Sequence, residues 1–189
     1  MLPISVNPTK ANYMNKVLFL LAAVAMLTAV ACKKLDKILT FTIEDSQNIR
    51  VAGSNLPFGS VIPVAPVSVT TKSEDRFRNE DTRADLVKDV SLTKLTLTIT
   101  DPNTANFDFL ESITIYISTD QNDRVPLASL SSIPRGVRTL DLQPSGAKLD
   151  KYIKAASYTL TTEARVRAAV TQDITMRADS KFKVTADPL

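Results

Sequence analysis

The sequence predicts an all-β protein with minor helix, an antiparallel β-sandwich behind an N-terminal leader, and three observations predict it. Apolar and polar residues alternate with a period of two in several separate stretches, the spacing of a strand with one buried face. Clusters of Pro, Gly, Asn and Asp punctuate those stretches as turns. The alternation of strand and long helix that builds a parallel sheet is missing.

Along the chain, Leu39, Phe41 and Ile43 open the pattern. The mostly apolar run from Val61 to Val69 is interrupted by Pro63 and Pro66. Proline cannot donate to a ladder, so this run is expected as an edge strand or an extended loop. Residues 74–90 are rich in charge, with Ser73 or Asp81 as cap and Leu86 and Val90 facing inward, and predict a short helix. Leu95, Leu97 and Ile99 share one strand face while Lys94, Thr96, Thr98 and Thr100 take the other. Ile113, Ile115 and Ile117 repeat the pattern opposite Thr114, Tyr116 and Ser118.

Turns are expected at Asp101-Pro102-Asn103, at 120–123, at Pro134-Arg135-Gly136 and at Pro144-Ser145-Gly146. Residues 147–156 place Leu149, Tyr152, Ile153 and Ala156 on one helical side. From Tyr158 the even positions are apolar or small through Val170 and again from Ile174 to Ala186. Charged residues fill many of the odd positions, so two long strands joined near Thr171-Gln172-Asp173, a C-terminal hairpin, are expected.

Ahead of this body, Val17–Ala31 reads VLFLLAAVAMLTAVA, with Lys16 before it and Cys32 after it. A positive flank, an apolar stretch of this length and small terminal residues make a secretion signal. The run falls short of the ~20 apolar residues a spanning helix needs. The expected organisation is a signal peptide at 1–31, with Met14 the preferred start, a tether at 32–36 and one domain at 37–189.

Ala29-Val30-Ala31-Cys32 resembles the lipobox of bacterial lipoproteins, with Ala29 where that family most often has Leu. The resemblance implies a diacylglycerol in thioether linkage on Cys32, cleavage between Ala31 and Cys32, and acylation of the new amine. The membrane would then be a partner through the lipid, with no other cofactor. Lys33 stands where an Asp retains enterobacterial lipoproteins in the inner membrane, so the resemblance implies the outer membrane. Asp36 supplies only part of the acidic signal that some groups use for surface export. The body, through the runs LTKLTLTITDPN and FDFLESITIYIS, resembles uncharacterised immunoglobulin-like envelope lipoprotein domains. That resemblance carries no functional residue.

Composition narrows function further. The chain has 23 basic and 20 acidic residues, and Lys10 and Lys16 fall in the leader, so the body is nearly neutral. Such a balance gives no electrostatic footprint for nucleic acid. Histidine and tryptophan are absent and Cys32 is the one cysteine. The commonest general base and metal ligand is therefore missing, as is any internal disulfide. No metal site is expected: Asp120, Asn122 and Asp123 suggest a calcium loop, but Val125 occupies the position that needs Gly.

No catalytic residue is singled out, although the acids leave room for a carboxylate-dependent hydrolase. The surface residues with binding potential are Tyr116, as a stacking platform, and Arg165, Arg167, Arg177, Lys181 and Lys183 on the C-terminal strands. The expectation is a non-enzymatic envelope protein with a binding or structural role toward an unknown envelope protein or glycan. The alternatives are a glycan-binding accessory lipoprotein and the hydrolase.

Overall fold

In the computed structural model, the structure describes residues 38–189. The expected signal peptide, the tether, and the lipidation and cleavage residues Ala31 and Cys32 lie outside the described residues. Nine strands form in chain order: β1 (Leu39–Val51), β2 (Val61–Pro63), β3 (Val67–Thr70), β4 (Val87–Asp101), β5 (Leu110–Ser118), β6 (Val125–Leu130), β7 (Thr139–Pro144), β8 (Ser157–Val166) and β9 (Ile174–Ala186). Two short helices interrupt them, α1 (Ser73–Asn79) and α2 (Asp150–Lys154).

All pairings are antiparallel and they nest. β1 pairs with β9, β2 and β3 share β8, β4 pairs with β7, and β5 pairs with β6. The chain is thus one long hairpin with its tip between β5 and β6, folded over on itself. Cross-pairs of β4 with β9 and β5 with β8 complete two layers, β1-β9-β4-β7 and β7-β6-β5-β8 with β2 and β3 at its edge. β7 bends between the layers, bonding β4 through Thr139–Leu142 and β6 through Gln143 and Pro144. The antiparallel sandwich expected from the alternation forms. Its connectivity is a rolled double Greek key, a jelly roll, which joins the strands in a different order from an immunoglobulin domain.

The core lies between the layers. β9 shows why: Ile174, Met176, Ala178, Phe182, Val184 and Ala186 are buried while Arg177, Lys181 and Lys183 face out. In β4 the buried residues are Val87, Val90, Leu92, Leu95, Leu97 and Ile99. Strict alternation fails there because register shifts at Val87/Asp89 and Leu92/Lys94 each insert one residue. Each bulge restores apolar residues to the core face.

Three expectations change. The helix foreseen over 74–90 is α1 alone, ending at Asn79, because Asp81 adopts φ 52°, a left-handed turn. Leu86 then belongs to a 3-10 turn and Val90 to β4. The helix over 147–156 is the single turn of α2. Leu149, Tyr152 and Ile153 are buried, but Ala156 is exposed because β8 begins at Ser157. Finally, β8 and β9 do not pair: each is a central strand of a different layer, and the C-terminal hairpin does not form. Among the described residues, no helix is long and apolar enough to cross a membrane.

Candidate functional site

A rolled hairpin has two free edges, here β1 and the β2/β3 pair, and they approach one another without a hydrogen-bond ladder. Side chains close this seam instead. Phe77 of α1 meets Phe41 of β1 edge-on at 6.2 Å, and Arg76 donates from Nη2 to the Glu44 carbonyl at 3.0 Å. The Tyr158 hydroxyl on β8 donates to Asp45 Oδ2 at 2.8 Å, tying the two layers together.

Around that tie lies a cavity of about 280 Å³. Its apolar floor is Ile43, Ile153 and Phe182, all core residues. On one wall, β1 contributes Asp45 and Gln47; on the other, Thr70, Thr71, Lys72 and Ser73 follow the end of β3. Period two explains the first wall. Ile43, Asp45, Gln47 and Ile49 occupy successive inward positions of β1, so two polar side chains replace apolar ones there.

Asp45 accepts from the Ser46 amide at 2.9 Å and from Gln47 Nε2 at 3.1 Å, both at Oδ1, besides the Tyr158 bond. No cation pairs with it within 4.0 Å among the described residues. Burial raises the Tyr158 phenol well above its ordinary pKa, and the charge and hydrogen bond of Asp45 add to the effect. Glu44, next in the chain, is exposed and pairs with Lys181 at 2.5 Å. Alternation sends Glu44 and Asp45 to opposite faces of the strand.

The structure divides the basic residues between two surfaces. Arg165 and Arg167 follow the outer side of β8, whereas Arg177, Lys181 and Lys183 stand on β9 in the other layer. Arg165 donates to the Gly59 carbonyl at 3.3 Å, and Arg177 pairs with Asp179 at 2.9 Å. Serine 46 first, then Arg177, holds the Asp179 carboxyl below the usual range, against some desolvation. These five residues therefore do not make one basic face.

Tyr116 is half-buried, with the Arg124 guanidinium carbon 3.6 Å from its ring centroid. Its hydroxyl donates to Glu163 at 3.3 Å, and Arg124 pairs with Glu163 at 2.6 Å. One ring face is thus already occupied by a cation. In the turn after β5, Asp123 accepts from the Thr119 amide and hydroxyl, from the Asp120 amide and from Lys151. Desolvation opposes ionisation of Asp123, yet those four donors outweigh it and hold the carboxyl far below the usual range. This carboxylate organises a turn. Among the described residues, no cluster of three or more His, Cys, Asp or Glu could hold a metal ion.

No sequence motif marks the seam cavity. Its signal was the break in alternation at Asp45 and Gln47, within a strand already marked by Leu39, Phe41 and Ile43.

No family model matches the chain, and no curated protein matches it in sequence. Among solved structures it is similar to the BFDV capsid protein of a 60-mer, at 8% identity and TM-score 0.40 over 82% of this chain and 96% of that one. It is also similar to the capsid of Helicobacter pylori bacteriophage KHP30, at 9% identity and TM-score 0.30 over 76% and 92% of the two chains. A third likeness is to infectious bursal disease virus Gx strain, at 12% identity and TM-score 0.21 over 83% and 43%. These likenesses assign no function.

Proposed function

We propose that the protein is a lipid-anchored cell-envelope β-sandwich protein with a non-enzymatic binding or structural role, exported by its leader and tethered through Cys32. One observation carries this reading: Cys32, the sole cysteine, directly follows a 15-residue run from Val17 to Ala31 with Lys16 at its head. Thioether diacylglycerol plus an N-acyl chain, at about 0.8 kcal/mol per buried CH₂, makes an effectively stable anchor. The sandwich supports the binding role, because it begins seven residues later, at Leu39, and builds a cavity at its seam. Outer-membrane placement follows from Lys33 by resemblance alone.

Expression in a Gram-negative host with a labelled fatty acid tests the anchor. The mature chain should begin at Cys32, carry the label and partition into detergent. The Cys32→Ser variant should lose the label and the partitioning. An unlabelled soluble product with a free thiol would overturn the anchor. The alternative of glycan capture predicts that soluble envelope oligosaccharides protect the domain against thermal unfolding.

A further inference from the structure

We propose that the seam cavity is a binding site for a small zwitterion of the α-amino-acid class, its ammonium on Asp45 and its carboxylate on Lys72, Ser73 and Arg76. The inference rests on the binding role proposed above but not on the lipid at Cys32.

Opposite charges line the cavity without neutralising one another. Asp45 has hydrogen-bond donors but no cationic partner, and Lys72 has no carboxylate within 4.0 Å among the described residues. Arg76 donates to a backbone carbonyl and not to a carboxylate. A structural cluster would bring such charges into contact. These stand too far apart to pair, and a ligand bearing both charges spans that gap.

Ser73 is the second, independent observation. The residue is only 4% exposed and lines the cavity, yet its hydroxyl makes no hydrogen bond within the described structure. Its oxygen stays accessible from the cavity, unlike the fully buried, unpartnered Ser54 Oγ and Asp150 Oδ1, so it is free to donate to a group bound there. A carboxylate oxygen bound by Lys72 would accept from it.

Ile43, Ile153 and Phe182 favour an aliphatic or aromatic side chain on that zwitterion. The cavity, at about 280 Å³, lies just under the ~300 Å³ at which drug-sized sites begin, which favours a single amino acid over a longer peptide. A neutral sugar would leave Asp45 and Lys72 without counter-charges.

The test is calorimetric titration of the full, detergent-solubilised chain with L-leucine and L-phenylalanine. N-acetyl-L-leucine, L-leucinamide and D-glucose serve as probes lacking one charge or both. Saturable binding of at least one amino acid is expected, weakened about tenfold or more when either charge is removed. Asp45→Asn and Lys72→Ala should each weaken binding about tenfold or more, and Ser73→Ala by severalfold. Lys183→Ala, on the outer face, should leave it unchanged.

Should Asp45→Asn fail to fold, Lys72→Ala and Ser73→Ala remain decisive, since neither removes a seam hydrogen bond. Absence of saturable binding by both amino acids would overturn the proposal, as would binding of N-acetyl-L-leucine or L-leucinamide as tight as that of L-leucine, or a preference for glucose. Running the titration beside the fatty-acid labelling of the unmutated chain separates the two readings: an unlabelled chain that still binds the amino acid overturns only the anchor, and a labelled chain that binds neither amino acid overturns only the site.

Discussion

Tyr158→Phe removes one oxygen from the seam and leaves the ring in place. The side chain is 3% exposed, so the ring's packing should survive and the change is confined to its 2.8 Å bond with Asp45. Asp45 keeps the Ser46 amide and Gln47 Nε2, so the carboxylate is left less well solvated but not bare. A hydrogen bond to a charged group contributes about 1.5–3 kcal/mol. For a domain of this size, about 2–4 °C of Tm accompanies each kcal/mol, giving an expected fall of about 3–12 °C. Urea unfolding followed by circular dichroism reads the same quantity as a lower midpoint with an unchanged slope.

A pH arm makes the test more specific. Burial, with Asp45 behind it, keeps the Tyr158 proton in the folded state to a pH where the unfolded chain has released it. The folded pKa is raised, so the stabilisation is full below about pH 10, the unfolded value, and declines as pH climbs above it. Wild type should therefore lose stability above about pH 10 more steeply than Tyr158→Phe. Near-ultraviolet absorbance should show late phenolate formation in the native protein that denaturant abolishes. A Tyr158→Phe protein within about 0.5 kcal/mol of wild type, with an identical alkaline limb, would refute the claim that this bond closes the seam.

Phe77→Ala should cost about 3–5 kcal/mol, because the ring is fully buried and pins α1 against Phe41, and calorimetry measures it as a lower Tm. Asp123→Asn should flatten the acid limb of stability. The depressed carboxyl contributes stability above the ordinary value of 3.8 that disappears as pH falls toward its folded pKa. Acid titration of both proteins by circular dichroism checks this, and parallel limbs would count against the turn assignment. Gly53→Ala should destabilise, because a Cβ there would come within 3.1 Å of the Gln172 backbone, which cannot swing aside as a side chain would. The Gly53 amide also donates to Asp173 at 3.0 Å, so the loss should be larger than in Gly146→Ser, whose Cβ position is open, once the left-handed backbone cost of Gly146 is allowed for.

Faces were legible in the sequence, neighbours were not. Alternation marks which residues of a strand share a side, and Leu95, Leu97, Ile99, Ile113, Ile115 and Ile117 are all buried as it implies. It contains no information about which strand lies alongside. Tyr158–Val166 and Ile174–Ala186 are joined by a short connection, so local reasoning pairs them, yet β8 bonds β5 and β9 bonds β1 and β4. The rolled topology puts the first strand beside the last, a decision made by burial over the whole chain. Helical expectation failed for the opposite reason. Residues 80–90 carry helix-forming charges, but burying Val87 and Val90 against β9 overrides their local preference.

The same logic locates the cavity. A hairpin rolled into two layers must leave its outer edges unbonded, and exposed edges invite pairing with other chains. Apolar residues at Asp45 and Gln47 would have continued the inward stripe of Ile43 and Ile49 and packed the seam dry. The chain instead places a carboxylate and an amide there, braces them with a buried phenol, and sets an unbonded serine hydroxyl across from them. Each departure forgoes apolar burial in a sandwich that otherwise follows its pattern with few exceptions. A local rule broken by several residues from three separate segments, all converging on one 280 Å³ space, is hard to attribute to packing, which any of them would serve better as a hydrophobe. The seam is where this fold sets polar side chains on its inward stripe, and they face the space proposed to hold the ligand.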